Sequence, residues 1–258
     1  MKKFIVSVVV FVFLVMATII ISHGTPLNTK KIQMQRGTAW AINDQGYWIT
    51  ARHSVIGCHD DILLETTNNV LSGRIAFDPV RGMRVLSSAK VIYTHPDYDL
   101  ALIKGASVNT PVYLRSDIEP AIKVGKKGYV IGYPGGVDGY IEVVFEGRET
   151  TIRRDDQDEP VYEWKVVSTH LQNGRVGGIS GAPVVDENNQ ILGVMTAQSG
   201  RLKSILASKP VSIQDLVGSQ GHSAGEVNTN DNQSPRDISN YLLERKSISK
   251  LYCSKDFR

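Results

Sequence analysis

The sequence is poor in cysteine: Cys58 and Cys253 are the only two among 258 residues. That excludes a disulfide-stapled small scaffold and a cysteine-rich zinc site, both of which need clustered thiols at matched spacing. Long runs of a single charge are also missing. The formal net charge is only +3, from 29 Lys and Arg against 26 Asp and Glu. The basic residues are scattered and not interleaved with aromatics, so no nucleic-acid partner is expected. Long helix-period segments are absent between the N-terminus and the tail, which argues against an alternating β/α architecture. Cys58 and His59 lie close to His53 and raise a metal reading. A metal site usually needs three or four ligands, and no further cluster follows, so neither a metal nor a cofactor is expected.

What is present begins with a hydrophobic N-terminus. Met1-Lys2-Lys3 is followed by an apolar run from Phe4 to Ile21, interrupted only by Ser7 and Thr18. Eighteen helical residues would span about 27 Å at roughly 1.5 Å per residue, close to a bilayer core of about 30 Å. The run is also longer than the roughly 7–15 residues usual in a signal peptide. Residues 1–24 therefore read as a signal anchor, or as a signal peptide cleaved after Gly24. Lys2 and Lys3 would stay in the cytoplasm by the positive-inside rule. The remainder would lie outside the cytoplasmic membrane, periplasmic if anchored and secreted if cleaved, where the cysteines can oxidise. Thr25 to Gln35 is a polar connector.

From Gly37 the pattern is that of an all-β protein. Gly37 to Ile42 alternates apolar and small residues, Asn43-Asp44-Gln45-Gly46 supplies turn chemistry, and Tyr47-Trp48-Ile49-Thr50 resumes a strand. This is a hairpin signature. Short strands are then predicted at Ile62–Leu64, Leu71–Phe77, Met83–Leu86 and Lys90–Tyr93, separated by polar turns.

Three stretches carry chemistry. The first is Gly177-Gly178-Ile179-Ser180-Gly181-Ala182-Pro183. A serine hydroxyl is a weak nucleophile and needs an adjacent base. Flanking glycines let the backbone bring bare N–H groups to a substrate carbonyl, which is what an oxyanion hole requires. The same stretch also reads as a glycine-rich turn between two strands. The second is His53, at the end of Tyr47–Thr50: a general base by its titration range, or an ordinary surface or core histidine. The third is Asp99, at the mouth of the apolar run Leu100–Ile103. A carboxylate buried there needs a hydrogen-bonding partner, and a histidine N–H would serve and fix that ring's tautomer. A strand-capping Asx-turn is the alternative, which Asp97 fits better.

His53, Asp99 and Ser180 fall in the chain order of the chymotrypsin triad, and each sits in local sequence that resembles the trypsin-like serine proteases. Gly37-Thr38-Ala39-Trp40 with Thr50-Ala51-Arg52-His53 resembles the first hairpin and histidine loop. Asp99-Leu100-Ala101-Leu102 resembles the aspartate strand, and Gly178 to Pro183 the nucleophile loop. Gly128-Tyr129-Val130-Ile131-Gly132-Tyr133-Pro134-Gly135 is similar to the strand opening the second barrel in the bacterial HtrA/Deg branch. The resemblance covers about residues 36–217. It implies two six-stranded antiparallel β-barrels, about 36–104 and 128–217, with the site in the cleft between them and Gly105–Lys127 containing the crossover. It implies a serine endopeptidase acting on polypeptide substrates: Ser180 attacks, His53 shuttles the proton, Asp99 orients His53, and the Gly178 and Ser180 amides hold the oxyanion. By position Thr196, Ala197 and Gln198 would line the substrate cleft, with Thr196 at a place that often contacts the triad aspartate. The absence of an acidic residue along the expected pocket argues against a Lys or Arg preference.

Departures from the family pattern are also visible. Ile179 stands where activated trypsins carry an aspartate, and it offers no side-chain hydrogen bond to hold the loop. Ala182 replaces a usual glycine. Only about forty residues follow Val217, below the size of a PDZ module, so regulation through one is not expected. A membrane-tethered peptide binder without activity is the reading from a different class. An α/β-hydrolase fails on chain order, since its histidine follows its serine. Arg153 to Pro160 reads as a charged, solvated turn. In the tail, Gly218–Gln233 reads as a flexible linker. Ser234-Pro235 then opens an amphipathic helix carrying Ile238, Leu242, Arg245, Ile248 and Leu251. A Cys58–Cys253 disulfide would tie that helix to the first barrel. Oligomerisation, a trimer included, is open.

Overall fold

Thirteen strands account for most of the computed structural model, which describes residues 33–66, 74–78, 82–107, 122–154, 157–171, 176–188, 190–199, 203–220, 235–244 and 247–255. The expected N-terminal anchor, most of the connector and of the 218–233 linker, and residues 108–121 of the crossover fall outside them. Among the described residues no helix is long and apolar enough to cross a membrane.

The first barrel is built from β1 (Gln33–Ala41), β2 (Tyr47–Ala51), β3 (Cys58–Thr66), β5 (Gly82–Thr94), β6 (Leu100–Lys104) and β13 (Ile248–Lys255), with β4 (Arg74–Asp78) paired onto β5. The strand order is β3-β13-β1-β2-β6-β5, and β3 pairs back to β5 to close the cylinder. The stretches Met83–Leu86 and Lys90–Tyr93, expected as two strands, are one 13-residue strand with a register shift between Val91 and Tyr93. The second barrel closes in the order β10-β11-β12-β9-β8-β7. Its strands are β7 (Lys127–Gly132), β8 (Gly139–Arg154), β9 (Gln157–His170), β10 (Pro183–Val185), β11 (Ile191–Ser199) and β12 (Ser204–Ser208).

Each barrel has its own apolar filling. Ala39, Trp48, Leu64, Ile103 and Leu251 fill the first, and Val143, Phe145, Trp164, Val184 and Ile205 the second. A third cluster joins them: Trp40, Ile49 and Leu102 meet Tyr129, Ile131, Val185 and Val194 together with Ile213, Leu216 and Val217 of α1 (Pro210–Gly218). Burial of this kind contributes roughly 25 cal/mol per Å² of apolar surface, so the two barrels are held as a pair.

The tail departs from expectation. Helix α2 spans Pro235–Glu244. Ile248 and Leu251, expected on its continuation, lie in β13, which pairs antiparallel with β1 from Gln33↔Lys255 to Trp40↔Ile248 and with β3 through Leu251↔Leu64. Spacing of three fits a helix face, yet Ser249, Leu251 and Cys253 also alternate as one strand face, and all three are buried. Pairing with two open strand edges decides the outcome, since unpaired strand backbone groups need partners. The first barrel thus takes a strand from beyond the second. Cys58 and Cys253 are joined by a disulfide, with Cα atoms 5.5 Å apart and a sequence separation of 195. It links β3 to β13, strand to strand, not strand to helix.

Candidate active site

Pairing of β2 with β6 sets Ala51 opposite Leu100. His53 lies just past the end of the first strand, in the 3₁₀ turn Arg52–Ser54, and Asp99 just before the second. The two are therefore brought together by register alone. Asp99 is 1% exposed. Its Oδ1 accepts the His53 backbone amide at 2.8 Å, and its Oδ2 lies 2.6 Å from His53 Nδ1. Arg52 braces this corner: its amide donates to Asp99 O (3.0 Å) and its Nη1 to the carbonyls of His95 and Pro96 (3.0 Å each). Gln35 of β1 donates to His53 O at 2.9 Å.

Ser180 arrives from the second barrel, on the loop before β10. Gly178 and Gly181 have φ of +95° and +89°, a region that disfavours side chains. A Cβ on Gly181 would stand 2.2 Å from Thr38 O and 2.8 Å from Ala51 N. Glycine is thus what lets the serine loop rest against the segment leading into His53. Ile179, which lacks a polar group, is 1% exposed and packs in the second-barrel core. The loop is held instead by Thr38 of β1, which is fully buried. The Thr38 amide donates to Ser180 O (2.8 Å) and its Oγ1 donates to Gly178 O (2.9 Å). Thr38 O in turn accepts Thr50 Oγ1 at 2.8 Å. Gly135 N donates to Gly177 O at 2.6 Å. The Ile179 and Gly181 amides are bonded, while those of Gly178 and Ser180, the expected oxyanion donors, make no hydrogen bond among the described residues.

Thr196, Ala197 and Gln198 lie on β11, where pairing with β12 shifts register between Met195 and Ala197. Thr196 is buried, Ala197 half-buried and Gln198 exposed. The Thr196 hydroxyl donates to Leu206 O at 3.3 Å. The hydrogen-bonding side chain that reaches Asp99 here is an arginine.

Arg154 and Glu159 correct the reading of Arg153–Pro160 as a solvated turn. The β8–β9 ladder continues to Arg154↔Gln157, well past the barrel wall. Alternation on this two-stranded arm puts Arg154 and Glu159 on one face. Arg154 Nη1 donates to Asp99 Oδ2 and touches His53 Nδ1, and its Nη2 donates to Thr196 O at 3.3 Å. Glu159 is 3% exposed, and its Oε1 has no hydrogen-bond partner among the described residues. Burial above all, then the charge of Asp99, pushes the Glu159 carboxyl up to about 7, against the Asp99 amide and the guanidiniums of Arg154 and Arg52. A sequence signal for Glu159 existed: like Asp99 it stands at the mouth of an apolar strand, Val161–Val167. Nothing in the local sequence distinguishes Arg154 from Arg153. Thr38 is visible only as a member of the first hairpin. No cluster of three or more potential metal ligands occurs among the described residues.

Paired barrels, a histidine and an aspartate joined at the end of the first, and a glycine-flanked serine loop that the second rests on the segment leading into that histidine define a chymotrypsin-fold serine peptidase. Solved structures agree on the fold. The inactive form of the Rv3671c protease aligns over 74% of this chain and 88% of its own, at 19% identity and a TM-score of 0.53. The active form of that protease, from M. tuberculosis, aligns over 76% and 78% at 19% identity and a TM-score of 0.51. The MamO protease domain from Magnetospirillum magneticum aligns over 73% and 97% at 15% identity and a TM-score of 0.51. No curated protein matches the sequence. The trypsin-like peptidase domain model matches residues 37–194, and the chain belongs to that family.

Proposed function

We propose that this chain is a serine endopeptidase that hydrolyses peptide bonds through an acyl-enzyme, with His53, Asp99 and Ser180 as its triad. The observation that carries the reading is the 2.6 Å approach of His53 Nδ1 to Asp99 Oδ2 beside a loop whose Gly178 and Ser180 amides are unspent among the described residues. Ser180 Oγ attacks the scissile carbonyl as His53 Nε2 takes its proton. The Gly178 and Ser180 amides receive the negative charge on the former carbonyl oxygen. His53 then protonates the leaving amine, and a water deprotonated by the same ring releases the acid. Asp99 holds the ring in the Nδ1–H form and stabilises the imidazolium. Base catalysis of this kind supplies about 10²–10⁴-fold. The β11 edge at Thr196, Ala197 and Gln198 receives the extended substrate. The polypeptide substrates lie outside the cytoplasm, the chain being tethered to the membrane by Phe4–Ile21 or secreted after its removal.

Digestion of an unfolded protein, with termini read by mass spectrometry, tests this. Wild type is expected to generate new peptides and Ser180→Ala none. Peptides bound but never cut by either would establish a tethered binder instead.

A further inference from the structure

We propose that the β8–β9 arm is a built-in brake on the triad, with Arg154 as the residue that applies it. The proposal rests on the protease reading above. Arg154 lies on three groups that catalysis or substrate binding uses: Asp99 Oδ2, His53 Nδ1 and the Thr196 carbonyl. The first two contacts compete with the triad's own bond. An imidazole nitrogen either donates its proton or accepts one. When Nδ1 donates to Asp99, Nε2 is the lone-pair nitrogen that faces serine chemistry. When Nδ1 accepts from Arg154, the proton sits on Nε2 and the ring has no base to offer Ser180. The wrong tautomer costs about 10⁴ in rate in a serine protease whose geometry is otherwise intact.

The guanidinium also satisfies Asp99, drawing the carboxylate away from its task of stabilising an imidazolium. The third contact caps a main-chain acceptor on the expected substrate edge, so an incoming peptide strand and Arg154 compete for one carbonyl.

The arm is built to move as a unit. Beyond Val161, the last β9 residue paired with β12, it leaves the second barrel. The residues of β8 from Glu146 to Arg154 are exposed or half-buried. What holds its inner end down is charge: Arg154 against Asp99, with Glu159 on the same face and Arg52 and Tyr98 beside it. Substrate, or anything that lifts the arm, frees Asp99 for His53.

Two readouts on the full chain, purified in detergent, test the brake. The first is the rate of active-site labelling by a fluorophosphonate for wild type, Arg154→Gln, Arg154→Ala and Arg154→Lys. The second is the His53 ring tautomer from ¹⁵N shifts of the imidazole nitrogens, which needs no activity. Arg154→Gln and Arg154→Ala are expected to label at least about ten-fold faster than wild type, recovering part of the tautomer penalty, and Arg154→Lys to stay slow. The Nδ1–H form is expected to increase in the two neutral variants. Labelling no faster than wild type, with an unchanged tautomer, overturns the brake while leaving the protease reading intact. Conversely, absence of labelling in every variant together with a tautomer that still shifts supports the Arg154 contact and removes the protease reading.

Discussion

The serine loop rests against the segment leading into His53 and the β8–β9 arm reaches His53 itself, and the two are held by opposite means. The loop at 177–181 is fixed by neutral hydrogen bonds to buried backbone, with Thr38 as the pin and Gly181 as the fit. The arm is fixed by ionised groups, Arg154 and Asp99, beside the carboxyl of Glu159. Neutral bonds inside a core do not respond to pH or salt, whereas ion pairs respond to both. The difference teaches which part of the site is scaffold and which part is adjustable.

Substitutions can sharpen the contrast. The largest effect on rate is expected from Asp99→Asn. It removes the acceptor for Nδ1–H and should lower kcat by about 10⁴, measured on any peptide the wild type cleaves. On the fixed side, Gly181→Ala places a Cβ 2.2 Å from Thr38 O at a φ of +89°. The backbone overlap and the strain should destabilise the fold by on the order of 3 kcal/mol, read by denaturant titration. A stable Gly181→Ala protein with normal activity would show that the loop is not clamped.

On the adjustable side, Glu159 gives a pH signature. Its carboxyl is pushed from an ordinary value of 4.5 up to about 7 in the fold. Between these limits the native state keeps a proton that the unfolded chain has released, so stability falls as pH rises. Below about 4.5 both states are protonated and above about 7 neither is, so the loss is confined to that window. It amounts to on the order of 3 kcal/mol at about 1.4 kcal/mol per unit. Glu159→Gln should flatten the stability profile between those limits. A profile that keeps its slope would place the responsible proton elsewhere. The smallest effect is expected at Thr38→Val, which retains the amide bond to Ser180 O and loses the hydroxyl's bonds to Gly178 O and from Tyr133 N. Each buried hydrogen bond is worth roughly 1 kcal/mol, so fold stability should fall by about 2 kcal/mol, read by denaturant titration.

The two barrels and the pairing of His53 with Asp99 were legible in the sequence because each rests on a local pattern. A hairpin runs into His53, Asp99 opens an apolar strand, and glycines surround Ser180. What was not legible depends on long-range pairing. Ile248 and Leu251 carry a spacing that suits a helix face, and only the open edges of β1 and β3 make them a strand. Arg154 and Glu159 sit in a charge run that is ordinarily solvated. Their burial follows from a ladder that runs to Arg154↔Gln157 and folds its inner face onto Asp99. The role of Thr38 was hidden for the same reason, since it acts 140 residues away, on Gly178.

The most direct measurement is fluorophosphonate labelling of the purified soluble domain, comparing wild type with Ser180→Ala and His53→Ala and mapping the adduct by mass spectrometry. A single adduct on Ser180 in wild type, lost in both variants, is the predicted result and would establish an activated serine with a working oxyanion site. A correctly folded wild type, including its Arg154→Gln form, that never labels would contradict a catalytic triad at His53, Asp99 and Ser180.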